Sequence, residues 1–343
     1  MLARHGGTID ARYLPKAAWI TLVVLASSPF VLWERLRHGR RIARSTPQAP
    51  VFILGYPRSG TTYLHYLLAR DQRFAFCDVF EALMPASFLT TDRLFRSKVR
   101  RGLPATRPMD NLRMDVDLPK EEEFAMACLT GRSIVAGYIF PRRIDQVFEQ
   151  DGLLTDARAR RQWQRGLLHF MRKLTVRHGN RPLLMKSPFN TARVAAIREL
   201  FPDARFIHIH RDASTVFASN LRLYERILPM LALCDVERAT IRRFILRSYK
   251  DTYQRFFSDV KAVPDERLAH VRYEDLVTDP VKVLQGVYAQ LELGDFEAAR
   301  PAIEAEARSY AEYRTNQYAL SDADKATLLS EWSAVIERLG RAL

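Results

Sequence analysis

Short apolar runs alternate along the chain with segments whose apolar residues recur at helical spacing. Four runs have the length of buried strands: VFILG (51–55), RPLLMK (181–186), RFIHIHR (205–211) and RLAHVRY (267–273). After the first run, TTYLHYLLARD (61–71) places Leu64, Leu67 and Leu68 on one face of a helix. Strands that alternate with helices at this spacing predict an α/β fold, with a doubly wound parallel sheet flanked by helices.

The later helices carry recognisable end signals. SPFNTARVAAIRELF (187–201) is predicted as one helix that ends before Pro202, because a proline disfavours helical backbone in the residue before it. Asp212 is the predicted N-cap of the helix after the third run, and Asp279 with Pro280 begins the helix after the fourth. Each predicted strand is therefore followed by a helix.

The N-terminal region differs from the rest of the chain. AAWITLVVLASSPFVLW (17–33) has no charged residue, approaches the ~20 residues of a spanning helix, and has a tryptophan near each end. A basic run follows it: Arg35, Arg37, Arg40, Arg41 and Arg44. The pattern predicts an apolar helix at a membrane, and residues 17–44 can span the bilayer, lie in its interface or pack on the protein. The flanking positive charge predicts a main domain in the cytoplasm, at the cytoplasmic face of the membrane.

A short linker, STPQAP (45–50), separates this helix from the rest. We therefore expect an N-terminal membrane-associated or amphipathic helix with its linker at residues 1–47 and a main domain at residues 48–343. Within the main domain, residues 90–170 look mostly helical and irregular, which predicts an insertion or lid.

Composition limits the classes of partner. The net charge of +14 suits a polyanion: nucleic acid, anionic lipid headgroups or a ligand with several phosphates. Nucleic acid is not expected, because the arginines are scattered over helices without interleaved aromatic residues. Cys77, Cys128 and Cys234 form neither a metal-ligand pattern nor a disulfide framework, which favours a reducing compartment.

One glycine-rich turn carries candidate chemistry. GYPRSGTT (55–62) joins a predicted buried strand to a helix, which is the setting of a phosphate-binding loop. The lysine that serves a nucleoside triphosphate after the second glycine is replaced by Thr61, and the cation lies inside the turn, at Arg58. The turn therefore favours one nucleotide phosphate in the loop and a reacting group beside Arg58, without a metal ion.

The motif PRSGTT after a buried strand resembles the phosphosulfate-binding loop of sulfotransferases that use 3′-phosphoadenosine 5′-phosphosulfate (PAPS). These enzymes also have a strand that ends in arginine, with a serine eight residues later, and HRDASTVFASN supplies Arg211 and Ser219 at that spacing. MKSPFNTARVAAIRELFPDARFIHIHRD, RYEDLVTDP and RPMDN…LPKEEEFAM resemble the bacterial branch of the superfamily. The resemblance covers roughly residues 48–335 and implies a P-loop-like sulfotransferase fold whose insertion binds the acceptor.

The resemblance also implies the parts of a donor site. Arg58 is expected to contact the transferring sulfonate and the 5′-phosphate, and Lys186 the bridging oxygen. Arg211 and Ser219 are expected to bind the 3′-phosphate, and Tyr273 the adenine. The loop residues assigned to the donor are Ser59, Gly60, Thr61, Thr62 and Tyr63. Structural roles are open as well: a salt bridge for Arg58, a solvated strand end for Lys186, helix packing for Ser219 and a core position for Tyr273.

The general base has no single motif. In cytosolic sulfotransferases a histidine follows a lysine by two residues, whereas here Pro188 has that place after Lys186. Three carboxylates are the candidates, in this order: Glu123, Glu121 and Glu81. The first two lie in PKEEEF at acidic positions of the family, although the helix dipole alone also favours acidic residues there. Glu81 is two residues out of register with the glutamate of protein-tyrosine relatives.

Other interpretations stay open from the sequence. His208 and His210 alternate on a strand and are expected to be buried, while His65 is close enough to the loop to reach a pocket there. A P-loop kinase or NTPase is disfavoured, since Arg211 stands where a magnesium-binding aspartate is expected. A non-catalytic membrane-attached nucleotide-binding module is the other alternative. For a sulfotransferase, the expected acceptor is a hydroxyl or an amine, with a lipid or glycolipid favoured by the apolar N-terminus.

Overall fold

The computed structural model of the chain describes residues 9–107, 112–310 and 320–340. Residues 108–111, which form most of the RPMDN stretch, lie outside the described residues. The chain divides into two compact units. The first unit comprises Met1–Pro47, Cys77–Asn180 and Leu223–Phe244, and the second comprises Gln48–Phe76, Arg181–Arg222 and Ile245–Leu343.

The second unit contains a parallel sheet of five strands. The strands are β1 Val51–Leu54, β2 Ala75–Phe76, β3 Leu183–Lys186, β4 Arg205–His210 and β5 Leu268–Arg272. Their order is β2-β3-β1-β4-β5, and each neighbouring pair is parallel. The four strands predicted from the apolar runs are confirmed. β2 has no such signal, because two residues are too few to show a period.

Helices flank this sheet and form most of the first unit. The α-helices of the described residues are α1 Leu14–Arg44, α2 Thr61–Leu68, α3 Val79–Leu83, α4 Phe88–Gly102, α5 Glu122–Thr130, α6 Val135–Ile139, α7 Ile144–Val147, α8 Ala157–His178, α9 Val194–Leu200, α10 Ala213–Leu231, α11 Arg238–Asp259, α12 Tyr273–Thr278, α13 Pro280–Gln290, α14 Phe296–Ser309 and α15 Asp322–Gly340. A helix follows β1, β3, β4 and β5 in turn, so the predicted doubly wound α/β fold is confirmed.

The central position of β1 explains its uninterrupted apolar sequence. β1 pairs with β3 on one side and β4 on the other, and all four of its residues are buried. A parallel strand covered on both faces has no solvent side and needs no polar alternation. Its side chains Val51 and Ile53 pack in one core with Ile207 of β4, Val271 of β5 and Leu64 of α2.

Two predicted helix starts are confirmed by their capping bonds. The Asp212 carboxylate accepts a hydrogen bond from the Thr215 amide at 2.7 Å, and α10 begins at the next residue after Asp212. The Asp279 carboxylate accepts one from the Lys282 amide at 3.0 Å, with Pro280 as the first helical residue.

The prediction of one continuous helix over residues 187–201 is wrong. A 3-10 helix, Pro188–Ala192, comes first, and α9 begins only at Val194. Between them, Arg193 has non-helical backbone angles, with φ −125° and ψ 17°. The Thr191 hydroxyl in this segment accepts a 2.7 Å hydrogen bond from the Gly55 amide, so a contact with the glycine-rich turn holds the segment.

The N-terminal helix predicted from the apolar segment is present as α1, in the first unit. Residues Ala11–Arg44 form a helix that is long and apolar enough to cross a membrane by length and composition. Most of its apolar residues are exposed, so it is not a core helix of the unit.

Candidate active site

The residues predicted to bind a nucleotide follow the carboxyl ends of the parallel strands. The glycine-rich turn follows β1, Lys186 is the last residue of β3, and Arg211 and Tyr273 directly follow β4 and β5. The strand order reverses beside β1, because β3 lies on one side of it and β4 on the other. Open α/β sheets bind their ligands at such a point, outside the carboxyl ends of the strands.

The glycine-rich turn is held in place by buried contacts on both sides. A side chain at Gly55 would place its Cβ 2.4 Å from the Ile209 carbonyl oxygen, so only glycine fits between β1 and β4. The Pro57 carbonyl accepts a 2.9 Å hydrogen bond from Asn220 Nδ2. The Tyr56 hydroxyl lies 2.7 Å from the Ser248 hydroxyl. These contacts fix the direction in which the turn leaves the sheet.

The turn ends at the N-terminus of α2. Gly60 has φ 94° in the left-handed region, and the first intrahelical bond runs from the Leu64 amide to the Gly60 carbonyl. Amides of the first helical turn have no acceptor within their own helix, and together with the helix dipole they suit an anion. The Ser59 amide differs, because it donates to the Tyr56 carbonyl at 3.1 Å within the turn.

Arg58 extends from this turn to the helix after β4. Its Nε donates a 2.9 Å hydrogen bond to the hydroxyl of Ser219, which is buried in α10. Arg58 itself has φ 73°, a left-handed conformation that is uncommon for a residue with a side chain. The structure therefore brings together the loop arginine and the distal serine that the sequence separates by 161 positions.

Tyr273 lies between the turn and Arg211. The Arg211 guanidinium carbon is 4.2 Å from the centre of the Tyr273 ring, close enough for a cation–π contact. A Cβ at Gly60 would fall 2.2 Å from the same ring, so Tyr273 packs directly on the turn. Burial raises the pKa of the Tyr273 phenol, although Arg211 and Arg58 act to lower it. Tyr273 thus stays neutral beside two arginines.

Lys186 is buried at the end of β3, with 2% of its surface exposed, which excludes a solvated strand end. Its Nζ lies 3.5 Å from the Thr62 hydroxyl of α2. On the same helix, His65 is fully buried, and burial together with the positive charge of Lys186 holds the pKa of its imidazole well below its usual range. The Tyr63 ring packs edge to face on Tyr310, with centroids 5.5 Å apart.

His208 and His210 are buried on β4, as predicted. His208 Nδ1 lies 3.2 Å from His270 Nδ1 on β5, and the His208 ring stacks on Phe256 at 4.3 Å. Burial lowers the pKa of all three imidazoles. Within residues 9–107, 112–310 and 320–340, no group of three or more His, Cys, Asp or Glu side chains is arranged to hold a metal ion.

The carboxylates proposed as bases belong to the first unit. Glu81 is buried in a capping box, where it accepts a 3.0 Å hydrogen bond from the Asp78 amide, and it lies 2.8 Å from His178 Nε2. Glu123 is buried in α5 and accepts a 3.1 Å hydrogen bond from the Ile134 amide. Glu121 is the half-exposed N-cap residue of α5.

Two residues that shape the turn were missed by reading the sequence. Asn220 binds the Pro57 carbonyl, and Thr191 binds the Gly55 amide. Both are polar residues inside segments read as helices, Asn220 directly after the serine of the arginine–serine motif. The sequence does not show that these two side chains are buried. A polar side chain in a helix is recognised as a structural hydrogen-bond partner only when its burial is known.

The fold and this site define a P-loop-like sulfotransferase: a parallel sheet, a lysine-free glycine-rich turn after its central strand, and an arginine–serine pair at the next strand. The model of the sulfotransferase family matches residues 50–297, and the chain belongs to that family of enzymes. Among its relatives are the omega-hydroxy-beta-dihydromenaquinone-9 sulfotransferases Stf3 of Mycobacterium bovis and Mycobacterium tuberculosis. Each is 32% identical over 329 residues, which is 94% of this chain and 84% of the relative.

Solved structures agree on the fold. Sulfotransferase STF9 from Mycobacterium avium superposes with a TM-score of 0.70 at 20% identity, covering 90% of this chain and 81% of that one. Sulfotransferase STF1 from Mycobacterium tuberculosis H37Rv superposes with a TM-score of 0.65 at 16% identity, covering 98% and 87%. The predicted fold class is therefore confirmed, and the family match together with the Stf3 relatives confirms the predicted enzyme class.

Proposed function

We propose that the enzyme transfers the sulfuryl group of PAPS to a hydroxyl group of a lipid by in-line displacement. The observation that carries the donor assignment is the hydrogen bond between Arg58 and Ser219. It joins the turn that suits a 5′-phosphate to the serine proposed for the 3′-phosphate. A ligand with phosphates on both sides of one ribose suits two adjoining anion sites, whereas a triphosphate does not need the second.

The residues of the second unit fit this donor. The amides at the start of α2 would hold the 5′-phosphate with Arg58, and Arg211 and Ser219 would hold the 3′-phosphate. Tyr273, between Gly60 and Arg211, would border the adenosine. When bound, PAPS supplies the sulfuryl group and a bisphosphate leaving group.

The chemical work left to the protein is electrostatic and acid–base. Arg58 and the buried Lys186 would stabilise negative charge on the leaving oxygen of the bound donor, since cations already fixed in position need little reorganisation. A carboxylate takes the proton of the acceptor hydroxyl. Glu123, Glu121 and Glu81 are the candidates in that order, and the bonds of Glu81 to the Asp78 amide and to His178 favour a structural role for it.

The general base can be distinguished from carboxylates with a structural role because its substitution changes the pH dependence of the reaction rate. Glu123→Gln or Glu121→Gln, whichever removes the base, should lower kcat roughly 100-fold or more and remove the acidic limb of the pH–rate profile. Glu81→Gln should lower the melting temperature and leave that limb in place. A normal acidic limb in both Glu123→Gln and Glu121→Gln would reject this assignment.

We propose that the acceptor is a membrane lipid and that the insertion at residues 90–170 contributes to its binding. Two observations support a lipid: the relatives that act on omega-hydroxy-beta-dihydromenaquinone-9, and the exposed apolar helix α1 in this chain. The terminal hydroxyl of a hydroxylated prenyl quinone is therefore the first acceptor to assay. The basic residues after the apolar segment favour the cytoplasmic face of the membrane.

The donor is tested by calorimetry with purified protein in the absence of magnesium. Adenosine 3′,5′-bisphosphate should bind at least tenfold more tightly than AMP, because AMP lacks the 3′-phosphate. Equal affinity for the two nucleotides would overturn the donor assignment, and magnesium-dependent ATP hydrolysis would support a P-loop NTPase instead.

The acceptor is tested by incubating the enzyme and isotopically labelled PAPS with a total lipid extract and, in parallel, with water-soluble metabolites. Label should appear in an organic-phase product that depends on the enzyme. Label found only in water-soluble products would support sulfotransferase activity but would reject the proposal of a lipid acceptor.

A further inference from the structure

Helix α1 is attached to the first unit at its N-terminal end. The Asp10 carboxylate, just before the helix, binds Arg142 at 2.7 and 2.9 Å and accepts the Asp235 amide at 2.9 Å. Lys16 Nζ donates to the Met230 carbonyl at 2.7 Å. Ala17 is buried beside it, in a small apolar cluster with Phe140 and Leu233. This end therefore has charged, polar and apolar anchors.

The C-terminal half of α1 is attached to the same unit. Glu34 and Lys173 of α8 form a buried ion pair, and Glu34 also accepts a 2.7 Å hydrogen bond from the Leu89 amide at the start of α4. The Phe30 ring packs edge to face on Phe95 of α4, with centroids 5.3 Å apart. Removal of one partner from a buried ion pair strongly destabilises a protein, so this contact holds α1 more firmly than an exposed ion pair would.

Between these attachments the helix is exposed on every side. Residues 18–26, AWITLVVLA, are nine consecutive exposed residues, or about 2.5 helical turns, and none is charged. The hydroxyl of Thr21 donates to the Ala17 carbonyl of the same helix at 2.8 Å. The segment thus presents an apolar surface in all directions, and its one hydroxyl is satisfied internally, as a hydrocarbon environment requires.

Positive charge borders this apolar surface. The exposed arginines of α1 after the apolar segment are Arg35, Arg37, Arg40, Arg41 and Arg44. On α4, exposed Lys98 has its Nζ 5.6 Å from the centre of the Phe95 ring, which packs on α1. Apolar side chains with adjacent cations suit a bilayer interface that contains anionic headgroups.

We propose that residues 18–26 are immersed in one leaflet of an anionic bilayer, with α1 as an in-plane helix held at both ends by the same folded unit. A protein partner would cover one face of the helix, whereas lipid surrounds it. A spanning orientation would place the two attached ends on opposite sides of the bilayer, which their contacts with one unit forbid. The proposal deepens the membrane location given above, and its tests need neither donor nor acceptor, so they stand or fall separately from sulfotransfer.

Vesicle flotation of the full chain tests the contact with lipid. The wild type should float with vesicles of phosphatidylcholine and phosphatidylglycerol, and less with phosphatidylcholine alone. Leu25→Glu should weaken the partition roughly tenfold or more, because a carboxylate is costly in hydrocarbon. Leu329→Glu on α15 is the matched control, since Leu25 and Leu329 are both 66% exposed. Equal flotation of the two variants would overturn the proposal. So would a different result: neither the wild type nor a variant floats, and light scattering shows a wild-type dimer that becomes a monomer in Leu25→Glu.

Cysteine labelling tests the in-plane orientation. Cys128, the exposed native cysteine, is replaced by serine, and single cysteines are placed at the exposed positions Ala11 and Arg44. In inside-out membrane vesicles an impermeant maleimide should label both positions. Labelling of only one of them from that side, with the other labelled in intact spheroplasts, would establish a spanning helix and reject the proposal.

Discussion

Arg58 Nε donates a 2.9 Å hydrogen bond to Ser219 Oγ, and this bond joins the turn after β1 to the helix after β4. The turn alone is a general anion site, and the arginine–serine pair alone is a weak motif. Their contact brings the two motifs together in the second unit. It also couples the turn to α10, so a contact within the protein positions the Arg58 side chain.

The first prediction concerns the charge at Arg58. Arg58→Ala should lower kcat/KM for sulfuryl transfer roughly 100- to 1,000-fold, the usual cost of removing one preorganised transition-state donor. Arg58→Lys should recover only part of the rate, because lysine keeps the charge but has no Nε to bind Ser219.

Arg58→Gly separates this loss from misfolding. Glycine adopts φ 73° without strain, so this variant should be as stable as the wild type in thermal unfolding and as inactive as Arg58→Ala. An Arg58→Ala enzyme within threefold of wild-type activity would contradict the assignment.

The second prediction separates the two phosphates of the donor. Arg211→Ala should weaken binding of adenosine 3′,5′-bisphosphate about 100-fold, within the range for loss of a charge-assisted phosphate contact, and leave AMP binding unchanged. Arg272→Ala is the control, since Arg272 is an exposed arginine at the end of the neighbouring strand β5. Parallel titrations by calorimetry measure both. Equal losses for the bisphosphate and AMP would show that Arg211 does not read the 3′-phosphate.

The third prediction concerns Asn220, which positions the turn. Asn220 Nδ2 donates to the Pro57 and Val216 carbonyls, so Asn220→Ala should cost about 1–3 kcal/mol of unfolding free energy through unpaired buried carbonyls. Asn220→Asp should be worse, because a carboxylate faces those two oxygens. Both variants should also bind the bisphosphate more weakly, which packing loss elsewhere would not cause. Urea unfolding and calorimetry give the two values, with exposed Ser214→Ala as the unaffected control.

The fourth prediction concerns pH. Burial lowers the pKa of His208, His210 and His270 in the folded protein below the unfolded value near 6.5. At a pH between the folded and unfolded pKa values, the unfolded chain therefore binds more protons than the folded protein. Their contribution to stability is therefore complete above about pH 6.5 and declines as the pH falls. His208→Gln should flatten the dependence of unfolding free energy on pH, by up to about 1.4 kcal/mol per pH unit for one proton. Identical slopes for wild type and variant between pH 7.5 and 5.5 would contradict this.

The strands and helix starts show how far local signals reach. β1, β3, β4 and β5 were predicted because a parallel strand buried on both faces has a continuous apolar sequence. Asp212 and Asp279 were predicted as caps because capping depends on residues within one turn. The prediction of one helix over 187–201 is wrong for the opposite reason. The Thr191 hydroxyl accepts a hydrogen bond from the Gly55 amide, and a contact between residues 136 positions apart produces no pattern in the local sequence.

The sequence by itself determined the α/β class, the order of the elements, the sulfotransferase motifs and the apolar N-terminal helix, since each depends on spacing between near neighbours. Only the tertiary structure decided that Arg58 meets Ser219, that Lys186 is buried beside Thr62, and that Asn220 holds the turn. It also decided that both ends of α1 bind one unit. These contacts join residues far apart in the chain, and strand order and burial, which no local period encodes, bring them within bonding distance.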